Sequence, residues 1–415
     1  MDATWTILST FQSLIKLEEV KFEVERAGVI VSKQVDVIII GAGIAGSTCA
    51  LQLAKQGHEV ILMDSQEFPR HKTCGEFMSP ETKEMLEYLD IHLLEQKLQP
   101  TMMDHAQIIM PDGGEIEAPL PGNAYGISRY ELDRILHQAA LEAGAMILTK
   151  STVTKIQEPQ DGFYEVQFKQ AGELVQYRAK AVIGAHGTKK PRGVVPSAED
   201  LRDETVYVGI KSHFTGITIP PRVELYFCEG GYVGISPIEN GKANVAALLT
   251  LETVQGSGTS VPDILHAASL TNNRLAERLA EGEAVPGTQV SIAPLNLSNI
   301  PEPWSQYPHI GDAMMMIPPL SGDGMSIALR SSLLCAQYTD RYLRGELDDK
   351  AWASEYILAA NQEFTQLLKR TRTIQKLAFA KVNVYYPKLV QMMPSLASYI
   401  VQATRLPHMN TTNRE

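Results

Sequence analysis

Residues 35–40 (VDVIII) form a short apolar run, broken only by Asp36, that ends on Gly41. Such a run reads as a parallel strand buried on both faces. Helical composition follows over 47–56, Gly57 stops it, and a second apolar run occupies 59–64 (EVILMD). Strand, helix and strand in succession predict a βαβ unit. Further helices are expected at 81–96 and at 129–144, where Leu132, Ile135, Leu136, Ala139 and Ala140 share one face. Residues 106–110 and 115–118 flank Pro-Asp-Gly-Gly, a hairpin signal. Strand-like runs recur at 152–156, 164–168 and 179–184. Alternation between 206 and 251 predicts an antiparallel sheet with strands at 224–227, 232–235 and 243–249. A helix is expected at 273–283. A strand should close at Ile310 and a helix should open near Gly324. From about Trp352 the chain reads as helical and amphipathic.

Composition narrows the class. With 415 residues, 44% of them apolar, the chain is long enough for two or three packed domains. It contains no apolar run of the length a membrane-spanning helix needs. The net charge of −11 disfavours a nucleic-acid binder, which needs a basic face. The charge is uneven, however: no Asp or Glu occurs from 364 to 413, while Lys369, Arg370, Arg372, Lys376, Lys381, Lys388 and Arg405 do. Such a tail either rests on an anionic membrane, covers a lipophilic substrate, or packs on the protein's own core. Packing on the core is the plainest of these. Four scattered cysteines and no ligand-spaced histidines give no expectation of disulfides or metal. Residues 1–34 match neither signal nor transit peptide and read as an extension outside the fold, helical in part. The expected location is cytoplasmic, with peripheral membrane contact as the alternative.

Chemistry enters with Gly41, Gly43 and Gly46. Gly41 permits a tight turn, Gly43 lets the backbone approach a pyrophosphate, and Gly46 allows helix and strand to pack closely. The helix N-terminus then offers free N–H groups to phosphate, with Ile44 and Ala45 in its first turn. Asp64 ends the second strand, where a carboxylate binds ribose hydroxyls, and Ser65 follows it. An acid there favours FAD or NAD over NADP.

The stretch 311–325 (GDAMMMIPPLSGDGM) resembles the second flavin fingerprint of FAD-dependent oxidoreductases with the p-hydroxybenzoate hydroxylase fold. That family includes geranylgeranyl reductases and flavin-dependent halogenases. The resemblance covers about residues 35–344. It implies an FAD in which Gly311 and Asp312 serve the ribityl chain and Pro318 and Pro319 lie near the ring. Gly322, Gly324 and Met325 would open a helix toward its N1 edge. Residues 68–80 (FPRHKTCGEFMSP) resemble the loop that passes beside the flavin in the reductase and halogenase branches. That likeness places Arg70 near the phosphates or ribose, and Cys74 and Gly75 near the ring. Arg129 and Asp133 match an Arg-x-x-Leu-Asp helix start whose Arg reaches the flavin, with Ser128 as a candidate N-cap.

Departures from the family pattern are as informative. His186 stands where the hydroxylases carry the Asp of an Asp-Gly motif; Gly187 is retained. Lys189, Lys190 and Arg192 follow in what reads as a solvated loop. Residues 230–237 (GGYVGISP) lack the halogenase Trp motif and match the reductase motif incompletely. Met314 and Met315 match neither branch.

The expected fold is α/β. A discontinuous Rossmann-like FAD domain takes residues 35–78, 127–192 and 299–345. A substrate domain built on an antiparallel sheet takes 79–126 and 193–298, and a helical region takes 346–415. The favoured reading is an FAD-dependent monooxygenase of an apolar or aromatic small molecule of the secondary-metabolite type. Its reductant would be NADH, NADPH or a separate reductase. The alternative is an FAD-dependent reductase or dehydrogenase of C–C bonds in an isoprenoid or polyketide; a third is a non-catalytic FAD-binding protein. No general base is evident. Cys74, His213 and Tyr232 are the catalytic candidates, although Cys74 reads more simply as a small buried hydrophobe and His213 as a structural histidine.

Overall fold

The computed structural model describes residues 30–95, 99–188, 205–298 and 300–409. The expected apolar strand is β1, Ile30–Ile40, which starts earlier than the pattern showed. Its first residues are paired by the backbone ladder to a later strand, with Ile30 opposite Val175 and Gln34 opposite Arg178. Residues 30–34 therefore belong to the fold and not to an extension. The remainder of that extension lies outside the described residues.

Helix α1 (Ile44–Lys55) and β2 (Val60–Met63) complete the βαβ unit, with β1 and β2 parallel. Then come β3 (Phe77–Met78), α2 (Thr82–Tyr88), and the hairpin β4 (Thr101–Ile109) and β5 (Glu115–Gly126). Helix α3 (Arg129–Glu142) leads to β6 (Met146–Leu148), β7 (Thr152–Gln160), β8 (Phe163–Gln170) and β9 (Glu173–Gly184). Next are β10 (Tyr207–Thr215), β11 (Arg222–Cys228), β12 (Gly231–Pro237) and β13 (Ala243–Thr250). Helices α4 (Val261–Ser269) and α5 (Asn273–Ala280) precede β14 (Glu283–Ala284) and β15 (Val290–Leu295). Helices α6 (Gly324–Leu343), α7 (Asp349–Ala378), α8 (Tyr386–Met392) and α9 (Ser395–Ala403) follow.

One sheet has the order β6-β2-β1-β9-β8-β7 and is parallel through its first four strands. The other runs β14-β10-β13-β12-β11-β4-β5-β3, with β15 on β10. It is antiparallel as expected except where β11 joins β4 in parallel, Val223 opposite Ala106. That pair seams the early hairpin to the later strands.

Two further boundaries differ from expectation. Helix α2 stops at Tyr88 because Asp90 takes a left-handed conformation (φ 59°). Its Met85, Leu86 and Leu89 sink into the core shared with α1 and α6, so this segment packs with the cofactor half. Ile310 closes no strand: a single parallel bridge joins His309 to Gly184, and Gly311 at φ 58° turns the chain into a short helical turn. The loop 189–204, with Lys189, Lys190 and Arg192, lies outside the described residues.

The helical tail divides. Helix α7 buries Trp352, Tyr356 and Phe364 in the core that also holds α1. Helices α8 and α9 instead lie on β5, where Ala397 meets Ile116 and Ala118. Among the described residues no helix is long and apolar enough to cross a membrane.

Candidate functional site

Steric demands build the cofactor end. A Cβ on Gly41 would sit 2.2 Å from the Ala185 carbonyl oxygen, and one on Gly46 only 1.8 Å from that of Gly41. β1, α1 and the end of β9 therefore meet at a distance only glycine allows. Gly43 is different: its outer side is open, with Arg129 Nη2 and Lys72 Nζ the nearest atoms to an added Cβ, at 3.6 and 3.9 Å. Two cations thus flank the space above an N-terminus that has no side-chain cap. Asp64 accepts from Ala42 N (2.9 Å) and Gln66 N (2.8 Å), which fixes its carboxylate beside the loop. His137 on α3 donates to the Ala42 carbonyl at 2.7 Å.

The second motif touches the first. A Cβ on Gly311 would lie 2.9 Å from that of Ala45, and Ser332 Oγ donates to the Ala45 carbonyl (2.8 Å). Gly322, at φ 75°, lets the turn pass Phe77, whose ring would be 2.9 Å from an added Cβ. Helix α6 then begins at Gly324 with no side-chain cap. Its preceding Asp323 is fully buried against Arg405, Nη1 to Oδ1 2.7 Å. Arg405 also donates to the Ser321 carbonyl, tying the chain beyond α9 to this turn. Burial pushes the Asp323 carboxyl up to about 7 despite that partner.

One cavity of about 1150 Å³ joins these parts. Of the residues expected at the cofactor, Gly46 and Pro318 do not line it; Gly41, Gly43, Ile44, Ala45, Asp64, Ser65, Arg70, Cys74, Gly75, Arg129, Gly187, Gly311, Asp312, Pro319, Gly322, Gly324 and Met325 do. Gly46 lies behind, in the packing of loop and helix. Arg129 is buried and bidentate on Asp133, both bonds 3.0 Å; burial opposes its charge, but Asp133 holds the guanidinium above its ordinary pKa. Ser128 caps α3 through Glu131 N, as expected. His186 lines the cavity, and its Nδ1 lies 3.0 Å from the Gly187 carbonyl. Met314 and Met315 point into the core, while Met316 reaches the cavity.

Polar groups of the second sheet hold the loop 74–76. Ser236 Oγ donates to the Gly75 carbonyl (2.8 Å) and Asn244 Nδ2 to the Cys74 carbonyl (3.1 Å). Glu76, left-handed at φ 52° and fully buried, accepts from Arg129 N (2.8 Å), His213 Nε2 (2.6 Å) and Lys211 Nζ. Burial raises the Glu76 pKa, but the His213 hydrogen bond and the Lys211 charge outweigh it and hold the carboxyl below its ordinary value. The three catalytic candidates thus separate. Cys74 and Tyr232 line the cavity, and burial raises the pKa of each, so both stay protonated. His213 does not reach the cavity wall; it is spent on Glu76. His71 packs edge-on to it, ring centres 5.1 Å apart, and is held near 4 by burial and by the Lys211 and His213 charges. His71 is therefore neutral at ordinary pH.

Beyond this loop the cavity turns apolar. Ile108, Met110, Leu225, Phe227 and Leu248 form one wall, and Leu377, Tyr386, Val390 and Val401 the other. Sequence reasoning missed Lys72, the pairing of Lys211 with Glu76, His137, and the Asp323–Arg405 tie. The sole local signal among these was Lys211 and His213 two apart on a strand otherwise rich in apolar residues.

A family model described as FAD binding domain matches residues 34–351. The menaquinone reductase of Mycolicibacterium smegmatis is 28% identical over 321 residues, covering 73% of this chain and 75% of that protein. Digeranylgeranylglycerophospholipid reductase 1 of Methanothermobacter thermautotrophicus is 25% identical over 406 residues, covering 88% and 97%. A flavin-dependent brominase superposes with a TM-score of 0.71 at 18% identity, covering 90% of this chain and 93% of its own. A geranylgeranyl bacteriochlorophyll reductase-like protein from Thermoplasma acidophilum gives 0.68 at 20%, covering 92% and 94%. At such identities the superpositions speak for the fold alone. The glycine cradle, its flanking cations and the matching family model make this chain a member of the FAD binding domain family and an FAD-dependent oxidoreductase.

Proposed function

We propose that the protein reduces carbon–carbon double bonds in an isoprenoid chain. The observation that carries this reading is the apolar compartment continuous with the cofactor groove. It offers a long hydrocarbon two apolar walls, and the charged groups beside it are already paired in the Glu76 cluster. The reductase names of the two sequence relatives support it and weigh against the monooxygenase expected from the motifs. Bound FAD supplies hydride chemistry. The chain's own contribution is to exclude water, align the hydrocarbon between β12 and the tail helices, and present protonated groups. Cys74 and Tyr232 are the two such groups suited to supply the proton that must accompany each hydride.

Dithionite-reduced, FAD-loaded protein mixed without oxygen with a polyprenyl lipid that carries no quinone tests this. Reoxidation of the flavin, with product heavier by two hydrogens per bond reduced, is the expected result. Product that forms only in air and carries labelled oxygen from O2 restores the monooxygenase reading. The same experiment run with NADH or NADPH in place of dithionite identifies the physiological class of donor.

A further inference from the structure

Eight of the seventeen large apolar side chains exposed among the described residues fall within residues 382–400. They include Met392 (82% exposed), Tyr399 (70%) and Tyr385 (65%). Soluble surfaces rarely concentrate apolar groups in this way without a partner. The concentration coincides with the stretch that contains no acid: Lys388 is exposed on α8, and at the end of α7 exposed Lys376 precedes Leu377, which lines the cavity. The acids on the strand beneath are engaged elsewhere, Glu115 with Arg274 and Glu117 with Arg222. A protein of net charge −11 thus turns an apolar and locally cationic face outward. The same face is the mouth of the cavity, because Leu389 and Ile400 are exposed and also line it.

We propose that α8, α9 and the turn between them dock on an anionic lipid bilayer, so that a membrane-dissolved substrate enters the cavity between Leu389 and Ile400. Apolar side chains would sink into the acyl boundary while the lysines face anionic headgroups, the arrangement of an interfacial helix pair. The inference rests on the lipid-chain substrate proposed above and extends it to the route of entry.

The test uses FAD-loaded full-length protein, with no substrate and no reductant, sedimented with vesicles. Vesicles containing phosphatidylglycerol should carry the protein down, and phosphatidylcholine alone should carry at least several-fold less. The double substitution Met392→Glu/Met393→Glu should cut the bound fraction about tenfold while flavin absorbance and melting temperature stay unchanged. Lys388→Glu should erase part of the anionic preference, and Leu270→Glu, on an exposed apolar residue elsewhere, should change nothing. Equal recovery in the supernatant with both vesicles overturns the proposal. So does a dimer that dissociates on the Met392→Glu/Met393→Glu change, since a second copy would then be the occupant. Vesicle binding without reduction of any polyprenyl lipid removes the reductase reading alone; reduction of a detergent-dispersed lipid without vesicle binding removes the docking alone.

Discussion

The turn 41–46 and the turn 74–76 line the same cavity, yet they are held in different ways. In the first, backbones meet so closely that a side chain has no room, as at Gly46, 1.8 Å from a carbonyl oxygen. In the second, Gly75 has open space around it, and the conformation is imposed by the backbone N–H of Arg129 and by side chains of Lys211, His213, Ser236 and Asn244. Steric specification is local and tolerates no substitution. Electrostatic specification is distributed, and its strength depends on every partner being present.

The sharpest way to break the comparison is at its steric pole. Gly46→Val should cost roughly 3 kcal/mol or more, beyond ordinary overpacking, and abolish FAD retention. Gly75→Ala, with nothing within 4 Å of the new methyl, should stay within about 0.5 kcal/mol of the wild type in the same melts. Near-equal effects of the two changes would erase the distinction.

Glu76→Gln should come next, at about 3–5 kcal/mol, because it leaves the Lys211 charge buried without its partner. Adding Lys211→Met should restore part of that loss. A double-mutant cycle in urea with no coupling would show that the pair does not act together.

Acid and base then separate two buried carboxyls. Glu76 is held below its ordinary value in the fold, so its stabilisation is present above the unfolded pKa and is lost as pH falls through the folded one. Asp323 is raised from 3.8 to about 7. Between those values the folded protein keeps a proton that the unfolded chain has released, so stability falls as pH rises across that window and levels off above it. Asp323→Asn should remove this second slope only. Melting temperatures from pH 4 to 8 should show the variant gaining on the wild type, and a constant gap would refute the assignment. Among the changes expected to destabilise, Ser236→Ala comes last, at about 0.5–1.5 kcal/mol for one hydrogen bond to a backbone carbonyl, read from chemical melts.

Legibility in the sequence follows the same division. The βαβ unit, the 41–46 turn and the Ser128 cap were readable because each is marked by residues close together in the chain. Residues 30–34 were not, since Ser32, Lys33 and Gln34 break the apolar pattern before Val35 and the strand that pairs with them lies far along the chain. Nor was α2's true allegiance, which its side chains decide only by meeting α6. In the site, Glu76 stood in plain view within a recognisable loop, but its side-chain partners Lys211 and His213 lie more than a hundred residues away. His213 was a catalytic candidate that read more simply as a structural histidine, while the carboxylate it meets was invisible. Arg405 gave no signal at all, because nothing near it in the chain marks the buried acid it meets.

The cofactor groove is closed by parts made at very different times during synthesis. β1 must wait for β9 to complete its ladder, Ala45 for Ser332, and the Ser321 turn for Arg405. On the ribosome the first glycine loop is therefore exposed, with half of its neighbours still untranslated, for most of the elongation time. FAD is consequently a late arrival. It joins a nearly finished polypeptide instead of nucleating a nascent one, and shortage of the flavin would leave a translated but incompletely consolidated protein in the hands of the chaperones.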